Sequence, residues 1–256
     1  MEEVILFMVV GFLAQLVDGA LGMAFGLVST TVLLAFGVLP ATASATVHVA
    51  ELFTTAASGA AHLAHRNVDY KTLMRLAPAG IIGGIFGVYV VTGIDGTLIR
   101  PFVVAYLGLM GVLVLYRAVR PRPPRVLSVS YATTLGTVGG FSDAIGGGGW
   151  GPLVSSTLLA SGGEPRYVIG TVNTAEFLVT AAISATFVGA LISGHWTDTG
   201  TLLDHVGAVA GLIVGGIAGA PIASFVFKRV SARRLAVSVG ILVLTLSAYQ
   251  GWQLVG

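Results

Sequence analysis

The sequence has no cysteine and very few charged side chains. Asp, Glu, Lys and Arg make up 9% of its 256 residues, whereas 55% are hydrophobic. The lack of cysteine excludes disulfides, iron–sulfur clusters and thiolate metal sites. A soluble domain has about 25% charged residues, so this chain has too little polar surface to cover a globule in water. The mean hydropathy of +0.93 also indicates a membrane protein.

Several function classes lack their signatures. The net charge of +2 does not suggest a nucleic-acid partner. The acidic start, Met1-Glu2-Glu3, is unlike the basic start of a signal peptide. The sequence contains no HExxH metalloprotease motif, P-loop or Gly-x-Ser-x-Gly elbow. We therefore expect that the protein is not an enzyme and that it binds neither a cofactor nor a metal ion. The expected partners are the lipid bilayer and a small anionic substrate, and nothing indicates an oligomer.

Ten apolar segments predict an all-α polytopic membrane protein, because they are long and show no strand-like alternation. At about 1.5 Å per residue, the second segment of each half is too short to cross a hydrocarbon core of about 30 Å. A glycine-rich break precedes each short segment, so we expect a broken-helix hairpin there. The segments are 4–20, 24–38, 41–63, 72–93, 98–117, 127–144, 150–161, 165–193, 204–227 and 235–254.

The two halves are copies of one unit. At an offset of 125 residues, Asp18 falls on Asp143 and Glu51 on Glu176. We therefore divide the chain into a first repeat, 1–118, a basic linker, 119–126, and a second repeat, 127–256. All three would form one membrane domain, in which about three transmembrane helices follow each hairpin.

Loop charges predict that the second repeat is inverted. Three loops carry most of the basic residues and should face the cytoplasm. The loop at 194–205 holds Asp198 and Asp204 but no Lys or Arg, so it should face outside, opposite to its repeat partner. Both termini then lie outside, with either six full spans plus two hairpins or ten spans. The basic residues are His65, Arg66, Lys71, Arg75, Arg117, Arg120, Arg122, Arg125, Lys228, Arg229, Arg233 and Arg234.

The two breaks are candidates for an anion site. Inverted repeats with interrupted helices mark the substrate site of many secondary transporters, and bare backbone N–H groups at a helix start attract anions. Close helix packing is the alternative explanation of such glycines, and it suits Gly83, Gly84, Gly87, Gly215, Gly216 and Gly219 better. The candidate residues at the breaks are Gly22, Gly147, Gly148, Gly149 and Trp150.

Four acidic residues lie in or beside apolar segments. Asp18 and Asp143 precede the short helices, so each is expected either to cap the following helix or to carry a proton. Glu51 and Glu176 lie well inside segments, where a charge costs about 2.5–3.5 kcal/mol. Each Glu is therefore either a neutral group bonded to the broken backbone or part of transport.

Polar side chains near these carboxyls could bind an oxyanion. His48 lies three residues before Glu51, on the same helical face, and Asn173 has the same place before Glu176. His48 could bind the anion or titrate with it. Gln15, Thr46 and Thr171 could add donors. His62 and His65 are better explained by a loop than by a metal site.

These motifs together resemble the TauE/SafE sulfite exporter family. The resemblance rests on the run from Leu16 to Gly26, its second copy from Phe141 to Pro152, and the stretch from Pro165 to Glu176. It covers nearly the whole chain. It implies transport of sulfite or organic sulfonates such as sulfoacetate across the bacterial cytoplasmic membrane, usually as export. The first break departs from the second, which favours the second as the main anion cradle.

The sequence thus predicts an alternating-access transporter of a small sulfur-containing anion. An anion channel and a transporter of another organic anion are the alternatives. An intramembrane enzyme using His48 and Glu51 is a weaker hypothesis, because no third ligand stands at metal spacing in the sequence.

Overall fold

The structure, a computed structural model, describes residues 2–119, 129–161, 164–196, 206–229 and 231–255. Within these ranges the chain forms ten α-helices and one π-helical turn, and no strand, which confirms the predicted all-α membrane fold. The helices are α1 Glu2–Leu21, α2 Phe25–Ala35, α3 Pro40–Ala64, α4 Tyr70–Gly93, α5 Gly96–Val119, α6 Val129–Gly146, α7 Ser156–Ala160, α8 Pro165–Ile192, α9 Val206–Arg229 and α10 Ala232–Val255.

Each predicted apolar segment corresponds to a helix, with one change of geometry. The segment expected at 150–161 begins as the π turn Gly151–Ser155 and continues as α7. Pro152 stands in the first turn, where its missing N–H removes no helical hydrogen bond. The second copy of the short helix is therefore wider and less regular than α2.

Four of the described helices are long and apolar enough to cross a membrane. They are α4, α5, α8 and most of α10. The apolar parts of α1, α2 and α9, and the π turn with α7, are shorter. This mixture of full-length and short apolar helices is the arrangement expected from broken-helix hairpins among spanning helices.

Helix packing follows the two-copy organisation. α1 packs along α9, and its equivalent in the second half, α6, packs along α4, the equivalent of α9. α3 packs on α8, and α5 on α10, each pair joining two equivalent helices. Exchanging the two halves therefore maps the α1–α9 pair onto the α6–α4 pair, and maps the α3–α8 and α5–α10 pairs onto themselves.

Glycines bring these paired helices into backbone contact. A Cβ at Gly87 would lie 2.7 Å from the Phe141 carbonyl oxygen on α6, and one at Gly219 would lie 2.8 Å from the Phe12 carbonyl oxygen on α1. Side chains at these positions would force the helices apart. The packing interpretation of these glycines is therefore confirmed.

Some predicted features lie outside the described residues. The linker at 119–126 is described only at Val119, and the loop at 194–205 only through Trp196. The repeat boundaries, the inversion and the external position of the termini therefore stay predictions.

Candidate functional site

The first break is closed by an aspartate that reaches past it. α1 ends at Leu21, and Gly22 takes a φ of 65°, a left-handed conformation suited to glycine. The Asp18 Oδ1 atom accepts hydrogen bonds from the Ala24 amide at 2.7 Å and the Phe25 amide at 3.2 Å. The carboxylate thus satisfies two N–H groups that would otherwise be unpaired at the start of α2.

The second break repeats this geometry residue for residue. Gly147 has a φ of 59°. The Asp143 Oδ1 atom accepts from the Gly149 amide at 2.8 Å and the Trp150 amide at 3.0 Å. Asp143 is 1% exposed, whereas Asp18 is only partly buried. The two carboxylates hold equivalent hydrogen bonds, and the second is sealed from solvent.

The two breaks touch each other in the interior. A Cβ at Gly148 would overlap the backbone of Leu27, and a Cβ at Gly26 would overlap the Gly147 carbonyl oxygen. The Thr30 hydroxyl donates to that same oxygen at 3.0 Å. The start of α2 and the second break therefore meet backbone to backbone, which only glycine permits at these positions.

His48 connects α3 of the first half to the second break. Its Nε2 atom lies 3.3 Å from the Asp143 Oδ2 atom, and both side chains are almost completely buried. Its Nδ1 atom lies 2.8 Å from the Ser44 carbonyl oxygen. The Ser44 hydroxyl donates to the Ala144 carbonyl oxygen at 2.6 Å, so the same turn of α3 contacts the end of α6 twice.

Further carboxyl groups surround this pair. Glu51 is 4% exposed, and its Oε2 atom has no hydrogen-bond partner. His48, Glu51 and Asp143 each place one nitrogen or oxygen within 4.8 Å of the others, so these three side chains form one buried polar cluster. Glu176 on α8 is also buried and interacts electrostatically with Asp18 and Asp143. The centre thus combines four carboxyls with one imidazole.

Asn173 lies beside the first break. Its Nδ2 atom donates to the Ser58 hydroxyl at 2.8 Å, and its Oδ1 atom is buried without a partner. A Cβ at Gly22 would lie 3.7 Å from that oxygen. The structure therefore brings Asn173 to the first break and His48 to the second, so each half's third helix serves the other half's break.

The remaining predicted site residues lie as follows. The Thr171 hydroxyl accepts the Asp69 amide at 2.8 Å and thereby holds the start of α4. Trp150 is fully buried, and a Cβ at Gly80 would lie 2.6 Å from its ring, so the indole packs into the core. Gln15 lies against α9 near Gly219. Thr46 is buried on α3.

Sequence reasoning missed three hydroxyl residues. Ser44 contacts both His48 and the Ala144 carbonyl, Thr30 bonds the second break, and Ser58 bonds Asn173. Only Ser44 had a signal in the sequence, because it stands one helical turn before the buried histidine.

Two aspartates outside the apolar segments begin spanning helices. Asp69 accepts the Lys71 amide at 3.0 Å and the Thr72 hydroxyl at 2.6 Å, and these bonds lower the pKa of Asp69 below its ordinary value. Asp95 does the same for α5, where the Thr97 hydroxyl lowers its pKa. These carboxylates are N-caps and play no part in the central site.

Comparison with known proteins identifies the family of this chain. The family model described as sulfite exporter TauE/SafE matches residues 7–250. The chain belongs to the TauE/SafE sulfite exporter family. It is 41% identical over 255 residues to a protein of Bacillus subtilis described as the probable membrane transporter protein YtnM, covering 97% of this chain and 82% of that protein. No solved structure matches the chain. Membership of the TauE/SafE family makes the chain a multi-pass membrane transporter.

Proposed function

We propose that this chain is a secondary transporter that exports a small sulfur-containing anion, such as sulfite or an organic sulfonate like sulfoacetate, across the cell membrane. The observation that carries the proposal is the meeting of two equivalent helix breaks in the buried centre of a TauE/SafE protein. Paired interruptions of this kind form substrate sites in secondary transporters.

Two arginines on α5 support an inverted repeat. Arg100 donates to the Leu34 carbonyl oxygen near the end of α2 at 3.0 Å. Arg117 donates to the Pro152 carbonyl oxygen at 2.9 Å and to the Thr157 hydroxyl at 3.0 Å. These arginines are about 25 Å apart along α5 at 1.5 Å per residue. The short helices of the two halves therefore contact opposite ends of one spanning helix, as an inverted repeat requires, and we keep both termini outside.

The closed contact between the breaks favours a carrier over a channel. Gly148 lies against the Leu27 backbone so closely that a single added carbon would overlap it. A channel needs a continuous polar path, whereas alternating access needs a centre that closes between two open states. In our proposal, rocking of the halves separates the breaks on one side at a time.

We place the anion where the two breaks meet, between the Gly22–Asn173 side and the Gly148–His48 side. The amides of Gly149 and Trp150 already bind the Asp143 carboxylate, so they are open to substrate only when that carboxylate moves away. We therefore propose Gly22, Gly148, His48 and Asn173 as the residues that bind the anion, whereas Thr171 and Trp150 stabilise the fold.

Binding and uptake test the proposal. Ligands that bind only the folded state raise the melting temperature, so purified protein should melt higher with sulfite or sulfoacetate than with simple carboxylates. Proteoliposomes should take up the same anion with saturation, and His48→Ala and Asn173→Ala should weaken uptake. Gly189→Ala is the matched control, because no atom beyond its own stretch of helix lies within 4 Å of a Cβ there. Equal uptake by all four proteins would remove the site assignment, and non-saturating conductance would favour the channel.

A further inference from the structure

The hydrogen bonds around His48 decide which ring nitrogen carries a proton. Nδ1 lies 2.8 Å from the Ser44 carbonyl oxygen, which can only accept, and 3.2 Å from the Ser44 hydroxyl oxygen. That hydroxyl already donates its hydrogen to the Ala144 carbonyl oxygen at 2.6 Å. Both neighbours of Nδ1 are therefore acceptors, so Nδ1 must be the protonated nitrogen.

This assignment creates a conflict at the other nitrogen. A neutral imidazole protonated on Nδ1 presents a lone pair at Nε2. Nε2 lies 3.3 Å from the Asp143 Oδ2 atom, and an ionised carboxylate offers only lone pairs. Two acceptors buried at this distance repel each other, and a bound hydrogen between them removes the repulsion.

We infer that the structure holds one exchangeable proton between His48 Nε2 and Asp143 Oδ2, and that this proton is the coupling ion of the transporter. The second clause rests on the proposed function, whereas the first concerns the protein alone. The proton enters from water, joins either the imidazole or the carboxyl, and returns to water when it leaves. While bound, it connects α3 of the first half to the break of the second half.

Further ionisable side chains surround this pair. The titratable groups around it are Glu51 on α3, Glu176 on α8, Asp18 in the last turn of α1 and Tyr106 on α5. α2 carries no titratable residue. The buried centre thus holds three further carboxyls and a single imidazole, and an anion can enter it without repulsion only where protons neutralise the carboxylates.

The proton site occurs once, although the fold is duplicated. At the repeat offset, Ser44 corresponds to Ile169 and His48 to Asn173. The first break therefore has the capping carboxylate, Asp18, without an imidazole partner. The copies have kept the same cap and diverged at the residues that hold the proton.

The Asp143→Asn variant separates the capping role of residue 143 from its role in holding the proton. In Asp143→Asn, the amide oxygen can still accept from the Gly149 and Trp150 amides, and the Nδ2 hydrogen can donate to the His48 Nε2 lone pair. This variant mimics the proton-bound contact permanently. Asp18→Asn is the matched control, because it makes the same change at the equivalent cap, which lacks the histidine.

Nitrogen-15 NMR of histidine-labelled protein in detergent tests the site without any substrate. The chain has five histidines, and His48→Gln identifies the His48 signals. We expect Nδ1 to stay protonated at every pH, and the Nε2 signal to titrate in wild type and Asp18→Asn but not in Asp143→Asn. A His48 ring protonated on Nε2 and bare on Nδ1 would overturn the inference. So would a metal ion bound one per chain and lost in His48→Gln.

Proteoliposomes test the coupling separately. An imposed pH gradient should drive net sulfoacetate flux through wild type and Gly189→Ala, and Asp143→Asn should lose the response to the gradient. Equal responses in wild type and Asp143→Asn would refute coupling at this pair. If wild type moves no sulfonate while the histidine titrates as expected, the proposed substrate is wrong and the proton site stands.

Discussion

Replacing Asp143 gives the sharpest test of how the second break is held. Asp143→Ala removes the acceptor of two backbone N–H groups, at Gly149 and Trp150, in a place that is 1% exposed. A buried donor left unpaired costs about 1–3 kcal/mol, so the change should destabilise the fold by about 2–6 kcal/mol.

Asp143→Asn should cost much less, because the amide oxygen can keep both hydrogen bonds. The exchange of a charged acceptor for a neutral one costs about 1 kcal/mol. Asp18→Ala should fall between the two Asp143 variants, because Asp18 is only partly buried and water can replace part of its bonding.

Thermal unfolding in one detergent, followed by tryptophan fluorescence, measures these differences. At about 2–4 °C per kcal/mol for a chain of this size, Asp143→Ala should melt about 4–24 °C below wild type. The reasoning fails if Asp143→Ala and Asp143→Asn melt together, or if Asp18→Ala is the least stable of the three.

Three further predictions concern the fold. Gly37 has a φ of 87° with free space around it, so Gly37→Ala should destabilise the fold by about 1–2 kcal/mol from backbone strain alone. Gly189→Ala in α8 should instead be neutral or stabilising by up to about 1 kcal/mol. The melting temperatures of the two variants check both values. Gly83→Ala should destabilise by about 1–3 kcal/mol, because its methyl would overlap the Thr137 carbonyl oxygen; an unchanged melting temperature would contradict the close packing of α4 on α6. The lowered pKa of Asp69 means that its stabilisation is present above its ordinary value of 3.8 and is lost as pH falls below it, so Asp69→Asn should flatten the acid side of the stability–pH curve.

The periodic and repeated features of the fold were predictable from sequence. Apolar run lengths gave the ten helices, because a membrane leaves few alternatives to the helix. The shared Asp and Gly positions predicted two equivalent breaks, and the structure shows the same hydrogen bonds at residues 18 and 143. These features depend on neighbours within about seven residues, which a single sequence displays directly.

The assembly of the centre was not predictable in the same way. His48 and Asp143 are 95 residues apart, and no local pattern indicates that they meet. The hydroxyl of Thr171 bonds the start of α4 rather than the centre, because its position on α8 faces that loop. Trp150, expected to line the site, fills the space left by Gly80. Choosing among buried polar residues requires knowing which helix faces which.

The contact between the breaks is the centre of this account, and sulfoacetate uptake by Gly148→Ala tests it most directly. Its methyl would overlap the Leu27 backbone, so the breaks could not close on each other. With uptake normalised to the amount of folded protein, we expect Gly189→Ala to transport like wild type and Gly148→Ala to lose saturable uptake. Equal saturable uptake by the two variants would show that substrate does not pass where the breaks meet.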